Sequence, residues 1–286
     1  MTTHLREALS HSALGKTGSA TRGYDPSLLF AIERNLGRSE LGLHPDAPLP
    51  FEGTDVWTAF ELSWLDAGGK PCAGMAEIRV PADSPRLVES KSLKLYLNGF
   101  NAERLTHADS LRARVVEDLG QATGGTVSMR MEMLDAPSPV VDVPAPADCV
   151  SLDTLEIAFD DRDYAPPAAD KLLCGNEPAV EESLASSAFR SNCPVTGQPD
   201  FARVWIRYRG APIDRAGLLR YLVSYREHAA LHEQCVEKIF CDIAARCAPQ
   251  ALAVAARFTR RGGIDINPCR ATPGYRVDWP TRDLRQ

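Results

Sequence analysis

The chain has 286 residues, enough for one large domain or two ordinary ones with a substantial buried core. It carries 38 acidic against 32 basic side chains, a formal charge of −6, so no global field holds it on phosphate polymers and a nucleic acid is not expected as a direct partner. No stretch approaches the roughly 18 uninterrupted apolar residues of a spanning helix, and Met1 to Ala20 lack an apolar core of signal-peptide length. Those features predict a cytoplasmic chain without membrane association, whose eight cysteines are reduced thiols.

Residues 1–50 show little periodicity and end in the proline-punctuated "LGLHPDAPLP", which reads as an extended arm. "DVWTAFELSWLD" and "CAGMAEIRVPA", separated by "AGGKP", read as a hairpin. In "ESKSLKLYLNGF", Leu93, Tyr96, Leu97 and Phe100 fall on one helical face, predicting a helix from near Ser92. A second helix follows over "HADSLRARVVEDL", then a strand over "GGTVSMRMEML", a four-proline linker "DAPSPVVDVPAPAD", and a further strand over "VSLDTLEIAF". The second half repeats this order: a strand in "DFARVWIRYRG", helices in "DRAGLLRYLVSYRE" and "HEQCVEKIFCDIAARC", and a strand in "ALAVAARFTRRGG". Leu93, Tyr96, Leu97 and Phe100 match Leu218, Tyr221, Leu222 and Tyr225 at constant offset, which suggests two diverged copies of one αβ unit.

Among candidate chemical groups, Cys193 stands out in "SNCPVTGQPD". Pro194 and Pro199 disfavour helix, and Ser191, Asn192, Thr196, Gly197 and Gln198 make burial of the whole segment costly, so the thiol is expected on an accessible turn. Asp200 stands across that turn as a candidate acid; otherwise it is a solvated turn carboxylate. "HEQCV" has the opening of the zinc helix H-E-x-x-H, but Val236 occupies the second histidine's place and no CxxC pair exists, so no metal is expected. Glu233 on its own reads as a first-turn helix carboxylate and His232 as a capping residue. Glu89, Lys91 and Lys94 lie at a strand-to-helix junction, where free amides and lysines favour an anion. "TRRGG", Thr259 to Gly263, joins two guanidinium groups to a flexible glycine pair; both clusters also read as solvated faces. The residues alone therefore lead to a reactive-cysteine enzyme that binds an anion, and no further.

"ESKSLKLYLNGFN", "SNCPVTGQPD", "HEQCVE" and "RRGGIDINP" together resemble the NADPH-dependent 7-cyano-7-deazaguanine reductases of queuosine biosynthesis, in their long, two-domain form. The resemblance implies an α+β chain of tandem tunnelling-fold units. Each is an antiparallel four-stranded sheet with two helices inserted between its second and third strands. It divides the chain into an arm over 1–50, a first unit over 51–165 with the E-S-K motif, and a second over 166–286 with the cysteine. It implies NADPH as cofactor, a homodimer, and 7-cyano-7-deazaguanine as small-molecule substrate, its nitrile reduced to an aminomethyl group through a covalent thioimide.

On that resemblance Cys193 is the nucleophile and Asp200 the acid, with His232 at the substrate pocket assisting proton transfer. Glu89 and Glu233 accept hydrogen bonds from the base edge, flanked by Val88 and Ser90 as backbone or hydroxyl contacts. Ser90, Lys91, Arg261 and Gly262 match positions that hold NADPH. Cys269 departs from the bulky aromatic expected after "INP", and Gly197 loosens the turn after the cysteine. Two other readings fit the residue types: a cysteine-dependent nitrile or amide hydrolase, and a non-catalytic purine-binding protein on the same fold.

Overall fold

A computed structural model describes residues 23–134, 148–164, 166–279 and 282–286. The linker expected over 135–148 falls almost wholly outside the described residues, as does the start of the arm. In chain order the strands and α-helices are β1 (Ala31–Glu33), α1 (Asn35–Arg38), β2 (Glu52–Leu65), β3 (Pro71–Pro81), β4 (Arg86–Val88), α2 (Ser90–Asn98), α3 (Ala108–Thr123), β5 (Ser128–Met133) and β6 (Cys149–Ser151). The second half follows with β7 (Val180–Ser186), β8 (Arg190–Asn192), β9 (Pro199–Gly210), α4 (Arg215–Val223), α5 (His232–Cys247), β10 (Ala251–Phe258) and β11 (Ile264–Ala271).

One nine-stranded sheet runs through both halves in the order β5-β3-β2-β11-β10-β9-β7-β6, with β8 paired to β9. The architecture is α+β, and from β5 to β7 every pairing is antiparallel. In the second half the two helices α4 and α5 enter between β9 and β10, and β7, β9, β10 and β11 form a four-stranded meander. The first half repeats the insertion, with α2 and α3 between β3 and β5, but only three of its strands, β5, β3 and β2, lie side by side in the sheet among the described residues.

The strand expected over "VSLDTLEIAF" is a correction. Only Cys149–Ser151 joins a ladder, pairing parallel with β7 in the other half. Leu152–Thr154 then turns into a 3-10 helix, because the Asp153 carboxylate accepts from Ser186 Oγ (2.6 Å) and the Ser187 amide (2.8 Å). The alternating Leu155, Ile157 and Phe159 pack on the second core instead of joining a ladder, with Arg220 over the Phe159 ring.

Two apolar cores underlie the sheet. Trp57, Ile78, Val80, Leu93, Tyr96 and Phe100 belong to the first, and Val204, Ile206, Leu218, Tyr221, Val236 and Phe258 to the second. The helical echo read from the sequence is carried into geometry. Tyr96 donates to Asp118 Oδ2 at 2.6 Å and meets Phe100 edge-on at 5.5 Å. Tyr221 donates to Asp242 Oδ2 at 2.5 Å and meets Tyr225 edge-on at the same 5.5 Å. In each case a buried phenol finds the acceptor that its burial demands.

β11, which the sequence reading left inside a motif, joins the halves by pairing with β2 on one side and β10 on the other. It enters through the hairpin turn Arg261–Ile264, closed by reciprocal backbone bonds of 2.8 and 3.1 Å, with Gly262 and Gly263 at φ 56° and 78°. Two successive positive φ values define the tight turn that matches strand twist, and side chains rarely adopt them. A Cβ at Gly263 would also lie 2.4 Å from the Glu61 carboxyl carbon, at the bulge where β2 gains a residue against β3.

The arm is more ordered than its sequence suggests. β1 pairs antiparallel with β4, aligning Ala31 with Val88, and the Glu89 amide donates to the Phe30 carbonyl (2.9 Å). Ile32 and Leu87 form a small apolar cluster with Phe30, Leu36, Val195 and Leu231, so the arm packs on both the cysteine turn and the start of α5.

Candidate functional site

A cavity of about 480 Å³ opens where these elements converge. That size suits a small heterocyclic ligand. Residues 88–91, Val88 to Lys91, reach it from the β4–α2 junction, Cys193 and Asp200 from the loop between β8 and β9, His232 and Glu233 from the first turn of α5, and Arg261 and Gly262 from the β10–β11 turn. Positions scattered over more than 170 residues thus line one cavity. His228, four residues before His232, does not line the cavity; burial holds its imidazole down at about 4.

The cysteine turn is held by its own backbone. Asn192 and Ser191 pair with Pro199 and Asp200 in the β8–β9 ladder, the Cys193 amide donates to the Gln198 carbonyl (2.8 Å), and the Gly197 amide returns to the Cys193 carbonyl (3.0 Å). Cys193 is half-buried, and Asp200 across the ladder is buried. Asp200 Oδ1 receives two cationic-capable groups, Arg261 Nη2 at 2.7 Å and His232 Nε2 at 3.3 Å. The His232 ring lies flat on Phe258, 3.8 Å between centroids and 1° between planes, which fixes its tilt. Its Nδ1 is buried without a hydrogen-bond partner among the described residues, an orphan that a bound ligand or water would satisfy.

Glu89 corrects the expectation of free amides at the helix start. Its own carboxylate caps α2, accepting from the Lys91 amide (2.7 Å) and the Ser92 amide (2.9 Å), so the helix begins at Ser90 rather than near Ser92. An outside anion therefore meets lysine side chains there rather than those two amides. Burial raises the Glu89 carboxyl above the ordinary glutamate range, against the pull of the two capping amides.

Two buried glutamates one turn apart on α5 have opposite electrostatics. Glu233 is raised, first by burial and then by the neighbouring Asp55 carboxylate. Burial would raise Glu237 too, but Arg270 and Arg38 overrule it and hold the carboxyl below its ordinary range. Glu237 accepts from Arg38 Nε and Nη2 (3.0 and 2.8 Å) and from Arg270 Nε and Nη2 (3.1 and 2.8 Å). Arg270 also reaches Asp55 Oδ1 (2.8 Å), and Arg34 reaches Asp55 Oδ2 (2.6 Å). This buried network ties the arm, β2, β11 and α5 together directly behind Glu233. Sequence reasoning missed all five of its members, because an isolated arginine or carboxylate carries no mark of burial.

The wall assigned to NADPH by resemblance carries Ser90, Lys91, Arg261 and Gly262. A Cβ at Gly262 would meet nothing within 4 Å, so its backbone is open to an approaching phosphate or ribose, and Lys91 faces the same space. These groups fit a phosphate-bearing cofactor. Among the described residues no cluster of histidine, cysteine and carboxylate side chains is placed to hold a metal, and no helix is long and apolar enough to cross a membrane.

Comparison with known proteins places two family models on the chain: "Nitrile reductase, 7-cyano-7-deazaguanine-reductase N-term" over residues 21–131, and "QueF-like protein" over residues 199–274. A protein of Xanthomonas campestris pv. campestris (strain 8004), named NADPH-dependent 7-cyano-7-deazaguanine reductase, is 55% identical, covering 96% of this chain and 98% of its own. Proteins of the same name from Stenotrophomonas maltophilia (strain K279a) and Dechloromonas aromatica (strain RCB) are 54% and 51% identical. The first covers 96% of this chain and 98% of its own, the second 100% and 99%.

Proposed function

This chain belongs to the NADPH-dependent 7-cyano-7-deazaguanine reductases, and from that premise we propose that its cavity reduces the substrate's nitrile to a primary amine through a covalent adduct on Cys193. The enzyme class is oxidoreductase, the cofactor NADPH and the pathway queuosine biosynthesis. The observation that carries the covalent reading is that a half-buried thiol and a buried carboxylate from the β8–β9 loop line the same cavity.

The thiol adds across the nitrile: the sulfur bonds to the carbon, and the thiol proton ends on the nitrogen, giving a thioimide. Asp200, in contact with Arg261 and His232, carries that proton from sulfur to nitrogen, acting as the acid toward the nitrile. His232 exchanges protons with Asp200 over 3.3 Å while Phe258 holds its ring plane. Glu89 and Glu233, both buried and both lining the cavity, accept from the amine and ring N–H donors of the guanine-like edge, and Val88 and Ser90 contribute backbone and hydroxyl contacts. Two molecules of NADPH, each held in turn along Ser90, Lys91, Arg261 and Gly262, would each supply one of the two hydrides that the reduction needs. Buried apolar walls at Ile264 and Ile266 exclude water from the sulfur adduct.

The same reading makes the architecture two fused tunnelling-fold units, joined near residue 165, that work as a homodimer on a small molecule and not on nucleic acid directly. The paired helix insertions and the repeated Tyr–Asp contacts support the two-unit part of that reading. The deciding experiment is mass spectrometry of the whole protein with 7-cyano-7-deazaguanine and no NADPH. A substrate-sized adduct is expected on the wild type and absent in Cys193→Ala. An unmodified wild type at saturating substrate would remove the covalent step, and an acid or amide product without NADPH would make the protein a hydrolase.

A further inference from the structure

Arg261 makes an unusual set of contacts for a group expected to hold a cofactor. Its guanidinium reaches back across the cavity mouth to Gln198 Oε1 (3.1 Å), the Gln198 carbonyl (2.9 Å), the Pro199 carbonyl (2.8 Å) and Asp200 Oδ1 (2.7 Å). The Gln198 carbonyl is the same oxygen that accepts the Cys193 amide. One planar fork, through Nη2 to the Gln198 and Pro199 carbonyls and in ion-pair contact with Asp200, and through Nη1 to Gln198 Oε1, therefore touches the cysteine turn and the acid together, from a hairpin more than 60 residues later in the chain. Such multidentate geometry fixes direction as well as distance.

We propose that the Arg261 side chain is a positioning residue for the bond-forming step, holding Asp200 and the Cys193 turn in register, in addition to the contact its turn makes with the cofactor. The inference rests on the covalent reading above. With Oδ1 taken by Arg261 and His232, Oδ2 is the oxygen that relays the thiol proton to the nitrile nitrogen. The proton balance then closes within the adduct-forming step: sulfur loses it, Asp200 passes it on, nitrogen keeps it. No cofactor takes part, so a purely cofactor-binding residue would leave this step untouched.

The test follows adduct formation by intact mass without NADPH, alongside amide hydrogen exchange at Cys193. Arg261→Ala is expected to form the adduct about 10²-fold more slowly, as small displacements of reacting groups do. Binding of 7-cyano-7-deazaguanine, measured in a Cys193→Ala background, is expected to stay within about twofold, and the Cys193 amide to exchange about tenfold faster. Arg261→Lys, which keeps the charge but loses the fork, is expected to recover part of the rate, and it serves as the test variant if the alanine protein does not fold. Wild-type adduct rates and unchanged Cys193 exchange in both variants, with the defect confined to the KM for NADPH, would overturn the proposal. A wild type that forms no adduct refutes the covalent reading instead, while faster Cys193 exchange in the variants would still support the clamp.

Discussion

Replacing Glu233 by glutamine removes one charge and almost no volume from a side chain that is 3% exposed. Its carboxyl is raised by burial and by Asp55, so the fold disfavours the ionised form, and that penalty grows as the pH rises through the raised value. The glutamine imitates the protonated state, so Glu233→Gln at pH 7 is expected to melt at the wild-type temperature or above it. Substrate binding moves the other way. A hydrogen bond to a charged acceptor is worth about 1.5–3 kcal/mol, so losing the charged acceptor is expected to weaken 7-cyano-7-deazaguanine binding by roughly 10- to 150-fold. Isothermal titration in a Cys193→Ala background isolates this affinity from covalent capture, and thermal melts at pH 5 and 7 report stability. A variant that binds normally but melts several degrees lower would refute the reasoning, because Glu233 would then be a structural carboxylate like its neighbour.

That neighbour provides the contrast. Glu237→Ala leaves Arg38 and Arg270 buried without their shared partner and is expected to cost about 3–5 kcal/mol, a fall in melting temperature of roughly 5–15 °C by calorimetry. Because Asp55 and Glu237 are held below the ordinary carboxylate range, the stability they contribute is complete above the unfolded-state values and drains away as pH falls through the folded ones. Acid titration of wild type should show this loss, and Glu237→Ala should show less of it. Substrate affinity should weaken as pH falls through the raised range of Glu89 and Glu233, whose carboxylates are the accepting form; affinity flat from pH 7 to 4 would argue against their role.

Much of this protein was legible along the chain. The hairpin of β2 and β3, the four long helices and the Tyr96/Tyr221 echo followed from apolar spacing, because a buried face must recur with the period of its own element. The residues that line the cavity were legible through short motifs. Each motif happens to sit at an element boundary, where a turn or cap fixes residue types locally: Glu89 before α2, Cys193 between β8 and β9, His232 at the start of α5. The expected strand over residues 150–159 failed for the complementary reason. Its alternating side chains serve the second core without a ladder partner, and pairing cannot be read from one strand alone.

Sequence by itself determined which groups can do chemistry here and which elements carry them. It did not determine their electrical state or their neighbours. Glu233 and Glu237 are indistinguishable as letters on one helix, yet three arginines brought from the arm and from β11 form a buried network that neutralises Glu237 and Asp55 and leaves Glu233 raised at the cavity. Likewise only the fold shows that the charge of Arg261 lies against Asp200. Burial and pairing are properties of distance in space, and only the folded sheet, closed through β11, brings those distances down to hydrogen-bond length.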